Sequence, residues 1–199
     1  MYTYLALGDS YTIGEQVAPE ENFPHQFSKL MSGHYGIPFA DPRIIAVTGW
    51  TTDELAAAVE AEKITETYDF VTLLIGVNNQ YRGRNLEEYK AEFTTLLQRA
   101  ILFANGRSSH VCVLSIPDWG VTPFAEGRDR ASIAEQIDAF NNANKAIAGN
   151  HRCLYLDITE STRQHGTDLA YLTPDKLHYA GKEYALWAAA LAEKVQPVL

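Results

Sequence analysis

The chain has 199 residues, 46% of them hydrophobic and 21% charged, with a formal net charge of −9. This describes a soluble protein of one domain, residues 1–199, long enough for a substantial core. The acidic balance argues against nucleic acid or an anionic membrane surface as the main partner.

The first apolar run, Tyr2–Gly8 (YTYLALG), reads as a strand and leads directly into Gly8-Asp9-Ser10-Tyr11. That junction is either a plain strand-to-loop turn or the setting of a nucleophilic serine. Phe23, Phe27, Leu30 and Met31 stand at helical spacing over Phe23–Gly33. A second strand, Arg43–Gly49 (RIIAVTG), ends at Thr48-Gly49-Trp50. Next, Thr51–Glu62 opens on Thr51-Thr52-Asp53-Glu54, a capping box in which Thr51 caps and Glu54 reaches back. The third strand, Asp69–Gly76 (DFVTLLIG), runs into Gly76-Val77-Asn78-Asn79, where the asparagines also suit an ordinary turn. The helix Leu86–Asn105 carries Tyr89, Phe93, Leu96, Leu97 and Ala100 along one stripe and stops at Asn105-Gly106. His110–Ile116 (HVCVLSI) is the fourth strand, followed by the long loop Pro117–Gly127. The helix Arg130–Gly149 and a fifth strand, Arg152–Ile158 (RCLYLDI), come next. Pro174–Gly181 (PDKLHYAG) then precedes the last helix, Gly181–Val195. Asp175 there is either a helix cap or a partner for His178.

Five short, β-rich runs alternating with helices predict an open parallel sheet, covered on both faces, in a three-layer α/β/α fold. Right-handed crossovers leave few topologies, and the expected strand order is 2-1-3-4-5. Ligands in such sheets sit beyond the carboxyl ends of the strands where the winding reverses. The ends of strands 1, 2 and 3 should therefore converge, with Ser10, Gly49 and Asn78 on them. Acyl transfer by serine needs a hydroxyl, a base, a group that orients the base, and donors for the oxyanion. Ser10 supplies the hydroxyl. Gly49 brings an unobstructed backbone N–H, Asn78 offers an amide donor, and Asp175 stands three residues before His178.

These blocks, GDSY, TGWTTDEL, GVNN and DKLH in that order, resemble the SGNH hydrolases, the GDSL-type esterases and lipases, over nearly the whole chain. The resemblance implies a flavodoxin-like α/β/α fold, with Ser10 as nucleophile and Asp175 and His178 completing a catalytic triad. It also implies an oxyanion hole from Asn78, Gly49 and the Ser10 backbone N–H, and an acyl-enzyme route that needs no cofactor and no metal. Tyr11 departs from the pattern, since the family usually carries leucine there. Asp9 is read as fixing the turn. His25, His34, His110, His151 and His165 are read as surface or structural, and Asp118 as a loop cap.

Trp50, Tyr81 and Trp119 are candidate substrate-binding residues, with Phe124 on the loop after strand 4, and the expected partner is a small-molecule ester: an acylated sugar, a lipid or another carboxylic ester. A thioesterase or lysophospholipase falls within the same family. Two readings from other classes stay open. One is a non-catalytic flavin- or phosphate-binding domain using Ser10, Tyr11 and Thr12, which leaves the Asp175–His178 pair unexplained. The other is a metal-dependent phosphohydrolase using Asp9, Asn78, Asp175 and His178, which lacks a carboxylate cluster at usable spacing. Cys112 and Cys153 lie in apolar runs and outside any CxxC, and read as buried structural thiols. No apolar run nears the ~20 residues of a membrane span, and no basic segment leads into an apolar one. The chain is accordingly expected to have no stable membrane association and to be cytoplasmic, or exported after removal of a signal.

Overall fold

In a computed structural model covering residues 1–199, five strands pair in parallel in the order β2-β1-β3-β4-β5. They are β1 (Tyr4–Gly8), β2 (Arg43–Ala46), β3 (Phe70–Leu74), β4 (Val111–Leu114) and β5 (Leu154–Leu156). Every residue of β1, β3 and β4 is buried, as the unbroken apolar runs predicted. The outer strands β2 and β5 are shorter than expected, and each begins with half-buried residues. Only one neighbour pairs with each, so Val47 and Thr48 leave the sheet and stand exposed.

Helices α2 (Phe23–Gly33) and α8 (Gly181–Val195) pack together as one layer, joined by α7 (Thr159–His165). Helices α3 (Thr52–Ala61), α5 (Leu86–Phe103) and α6 (Arg130–Asn150) form the other, with α5 contacting both its neighbours. The three-layer, doubly wound architecture agrees with the sequence reading. Large side chains from both sides of the sheet, among them Tyr4, Phe27, Phe70, Phe93 and Trp187, are almost wholly buried, each contributing roughly 1.5–3 kcal/mol. The predicted capping box forms: the Glu54 carboxylate accepts the Thr51 N–H and hydroxyl, both at 2.9 Å. Cys112 is fully buried but Cys153, just ahead of an edge strand, is only half-buried. No helix is long and apolar enough to cross a membrane.

Three short helices escaped the sequence pattern: α7, and two that stand at the carboxyl edge of the sheet, α1 (Ser10–Ile13) after β1 and α4 (Val77–Tyr81) after β3. The four and five residues of α1 and α4 are too few to show a period. Turning from β1 into α1 requires Gly8, because a Cβ there would lie 2.1 Å from Thr12 Oγ1 and 2.5 Å from the Leu74 carbonyl oxygen. Asp9 caps the helix, its Oδ1 accepting the Tyr11 N–H at 3.0 Å. Asp9 is entirely buried and its Oδ2 has no hydrogen-bond partner. Burial therefore pushes its carboxyl up to about 7 against the pull of the Tyr11 N–H, from an ordinary 3.8.

A raised carboxyl pKa means that the folded state holds a proton the unfolded chain has already released. Stability attributable to Asp9 is thus present below about pH 4 and lost as pH rises toward 7. In urea titrations at a series of pH values, the stability of the wild type relative to Asp9→Asn should fall between pH 4 and 7 and then level off. A difference that stays constant with pH would show that Asp9 does not titrate in the folded state.

Candidate active site

Ser10 begins α1, directly after its cap, so its backbone N–H belongs to the first turn, where amides lack intrahelical acceptors. Its side chain lines a cleft of about 160 Å³ at the carboxyl edge of the sheet. Tyr11, Val77, Asn78, Tyr81, Trp119, Phe124, Leu177 and His178 complete the lining. Residues from four separated stretches of the chain thus meet there.

The stretch carrying Asp175 and His178 is not a helix start. It is a tight loop closed by an antiparallel bridge between Leu172 and Tyr179, and α8 is capped by Ala180 instead. His178 Nδ1 donates to Asp175 Oδ2 at 2.6 Å, which leaves Nε2 with the lone pair. The ring is buried, and Tyr11 packs against it at 5.2 Å between centroids. Asp175 Oδ1 accepts from the Leu177 and His178 N–H groups and the Thr173 hydroxyl, at 2.9, 3.0 and 2.7 Å. Partial burial alone would raise this carboxyl, but the His178 ring and these donors outweigh it and hold it down at about 2. Asp175 is therefore a carboxylate at any ordinary pH. The Ser10 hydroxyl and the imidazole line the same cleft without a direct hydrogen bond, as is common before substrate binds.

Asn78 and Asn79 have opposite surroundings. Asn78 lines the cleft, and its Nδ2 donates to the Trp50 carbonyl at 2.9 Å, which fixes the amide's orientation. Asn79 is buried away from the cleft: its Oδ1 accepts the Thr52 N–H at 3.1 Å and its Nδ2 donates to the Thr52 hydroxyl at 2.7 Å. The preceding Gly76 has φ 132°, and a Cβ there would strike the Tyr89 ring at 2.7 Å.

Gly49 stands in the left-handed region at φ +86°, with only Arg82 Nη2 within reach of an added Cβ, at 3.7 Å. Conformation, rather than crowding, calls for glycine. Arg82 donates to its carbonyl at 2.6 Å. Gly49 and Trp50 are not among the residues lining the cleft; the Trp50 ring packs half-buried on the core, and its backbone carbonyl is what reaches the site. Tyr81 and Trp119 do line it, their rings edge-on at 5.1 Å, and Trp119 Nε1 is tied to Gln80 at 2.8 Å. Asp118 caps its loop as expected, accepting the Gly120 N–H, and pairs with Arg163 as well.

One residue at the site gave no sequence signal. Gln16, a non-glycine at φ 65°, donates from Nε2 to Asp175 Oδ2 at 2.9 Å, bridging the turn after α1 to the loop 159 positions on. Neither its type nor its neighbours could announce that contact. No three His, Cys, Asp or Glu side chains are grouped so as to hold a metal ion.

Several solved structures share this fold. TesA superposes with a TM-score of 0.77 at 18% identity, covering 99% of each chain. Axe2, an acetylxylan esterase from Geobacillus stearothermophilus, gives 0.74 at 19% identity, over 98% of this chain and 94% of its own. A lipase/acylhydrolase from Enterococcus faecalis gives 0.71 at 19% identity, over 99% and 96%. A search of curated proteins gives no match. The sequence profile of the GDSL-like lipase/acylhydrolase family matches residues 6–186, and with the strand order and the four blocks in place the chain belongs to that family of hydrolases.

Proposed function

We propose that the protein is a serine esterase that cleaves short-chain carboxylic esters through an acyl-enzyme intermediate. The observation that carries this reading is the cleft, which Ser10, Asn78 and His178 share, with Asp175 fastened to the far side of the imidazole. In the proposed reaction His178 Nε2 takes the proton from Ser10 Oγ as that oxygen adds to the ester carbonyl. The Asp175 carboxylate holds the ring and stabilises the imidazolium. The oxyanion is met by Asn78 Nδ2 and the Ser10 backbone N–H, with the N–H of Gly49, which stands outside the cleft lining but next to the Trp50 carbonyl that holds Asn78, as the third donor. Collapse expels the alcohol, which takes the proton from His178. Water, deprotonated by the same nitrogen, then releases the acid and regenerates Ser10.

The size of the acyl group is argued from volume. About 160 Å³ is below the ~300–1,000 Å³ of drug-sized pockets and equals roughly five waters of liquid volume. Its wall is largely apolar, from Tyr11, Val77, Tyr81, Trp119, Phe124 and Leu177. An acetyl to butyryl group fits that space, with the alcohol outside, beside the exposed faces of Tyr81 and Phe124. Acetylated sugars are one such class, the class named for the similarly folded Axe2.

With p-nitrophenyl esters of increasing length, kcat/KM should be highest from acetate to butyrate and fall about tenfold or more by octanoate. Ser10→Ala should lose both hydrolysis and labelling by a fluorophosphonate while keeping its circular dichroism. Equal labelling of the two proteins would end the serine-esterase reading.

His178→Ala should lose kcat by a larger factor than replacement of any histidine outside the site, because the imidazole is the base beside Ser10. Asp175, held down at about 2, stays ionised across the ordinary pH range and supplies no acid limb of its own. A comparable loss from His25→Ala or His110→Ala would assign the base to another residue.

The oxyanion donors are separable by neighbouring substitutions. Asn78→Ala should lower kcat by about 10²–10³ with KM little changed, because charge on the carbonyl oxygen develops only in the transition state. Asn79→Ala should cost stability, about 1–3 kcal/mol for the buried Thr52 N–H left unpaired, with a much smaller change in kcat. The reverse ranking in kcat would remove Asn78 from the oxyanion hole.

A further inference from the structure

A second acid–histidine pair stands behind the cleft. Glu183, in the first turn of α8, is fully buried. Its Oε1 accepts from the Ser161 hydroxyl at 2.6 Å and the Trp187 indole N–H at 2.9 Å. Its Oε2 accepts from His165 Nδ1 at 2.8 Å. Taking a carboxylate out of water costs several kcal/mol, and well-packed apolar residues in its place are often as stable or more so. Fastening α7 to α8 does not by itself call for such a group, but its partners also lead to His178 by two routes.

The first route is the loop base. The His165 ring lies flat on that of Tyr171, with 4.0 Å between centroids and 4° between planes, and Lys182 Nζ stands 3.9 Å from the same ring's centroid. Tyr171 anchors the loop that carries Asp175 and His178: its carbonyl accepts the Ala180 N–H at 2.8 Å, next to the Leu172–Tyr179 bridge. The second route is the aromatic wall. The Trp187 ring stands 5.8 Å from Tyr179 and 6.5 Å from Tyr11, and Tyr11 packs on His178. Glu183 thus holds one element at the foot of the loop and another behind the imidazole.

We propose that Glu183 and His165 are positioning residues, a buried pair that sets the Asp175–His178 dyad against Ser10 through Tyr171 and Trp187. The proposal rests on the reading of Ser10 and His178 as nucleophile and base. Misplacing a reacting group by about 1 Å costs on the order of 10²-fold in rate, so partial release of the loop should cost about tenfold. A pair that only joined two helices would, when broken, lower stability and leave turnover per folded molecule intact.

The test uses Tyr171→Ala, Tyr171→Phe and Glu183→Gln, each assayed with p-nitrophenyl acetate at a temperature where circular dichroism shows it folded. Tyr171 is half-buried and its hydroxyl makes no hydrogen bond, so its variants are expected to fold even if Glu183→Gln does not. A second readout is water exchange of the His178 Nδ1 proton, followed by NMR on histidine-labelled protein. Tyr171→Phe should match the wild type. Tyr171→Ala, and Glu183→Gln where folded, should lose about tenfold in kcat with KM within about twofold, and the His178 proton should exchange about tenfold faster. Unchanged proton exchange in Tyr171→Ala, with or without a loss of kcat, overturns the proposal, as does a folded Glu183→Gln with wild-type values. If Ser10→Ala hydrolyses the ester as well as the wild type, the esterase reading fails by itself. The exchange measurement then still decides whether Glu183 and His165 hold the loop.

Discussion

The site depends on the parallel pairing of β1 with β3, in which Gly8 lies opposite Leu74. Each chain turns immediately after that pair into a short helix, α1 with Ser10 at its start and α4 with Asn78 in its first turn. The proposed nucleophile and the proposed oxyanion donor, 68 residues apart in sequence, are thereby held by the backbone ladder of the most buried strands. Both turns are made by glycines for different reasons. Gly8 has no room for a side chain between Thr12 and the Leu74 carbonyl, and Gly76 combines a φ of 132° with the Tyr89 ring in the way. The geometry is set by main chain and close packing, so little flexible structure stands between the sheet and the reacting groups.

Three acids near the site show how partners decide what a carboxyl group does. Asp9 is buried with one oxygen unpartnered, and its proton is retained toward neutral pH. Asp175 is less buried and receives five hydrogen bonds, from Gln16, Thr173, Leu177 and twice from His178, which keep it ionised. Glu183 is as buried as Asp9, yet both its oxygens are occupied by donors from α7 and α8. All three are at least partly withdrawn from water. The number and direction of donors separates a turn-forming acid from one able to orient an imidazole.

The cleft owes its shape to contacts between elements that are distant in sequence. Phe124 donates its backbone N–H to the Lys176 carbonyl at 3.2 Å, which ties the long loop after β4 to the loop of Asp175 and His178. Trp119 is braced through Gln80 to Gln136, so the apolar wall is fixed by a chain of amides from α4 to α6. Tyr11, the departure from the usual leucine, places its ring on His178, Tyr179 and Trp187. A leucine would fill part of this space but could not present a flat face to the imidazole.

Much of this was legible in the sequence because local chemistry and periodicity carry over to the fold. The alternation of apolar runs with helical stripes was enough for the three layers and the strand order. The capping box at Thr51 and the turn at Gly8-Asp9-Ser10 formed where their residue types predicted. The spacing of Asp175 and His178 allowed their hydrogen bond, although in a tight loop and not in a helical turn. The short helices α1, α4 and α7 were not legible, and neither were the lengths of β2 and β5, which depend on having one neighbour instead of two. The placement of Trp50 on the core, with only its carbonyl at the site, was decided by packing that no spacing encodes. The same holds for Gln16 on Asp175 and for His165 on Glu183, contacts across 159 and 18 residues. Sequence alone determined which groups lie at the ends of strands, because that follows from short-range order. Which of their atoms meet, and which oxygens are left without a donor, was decided only when distant segments closed over one another and excluded water.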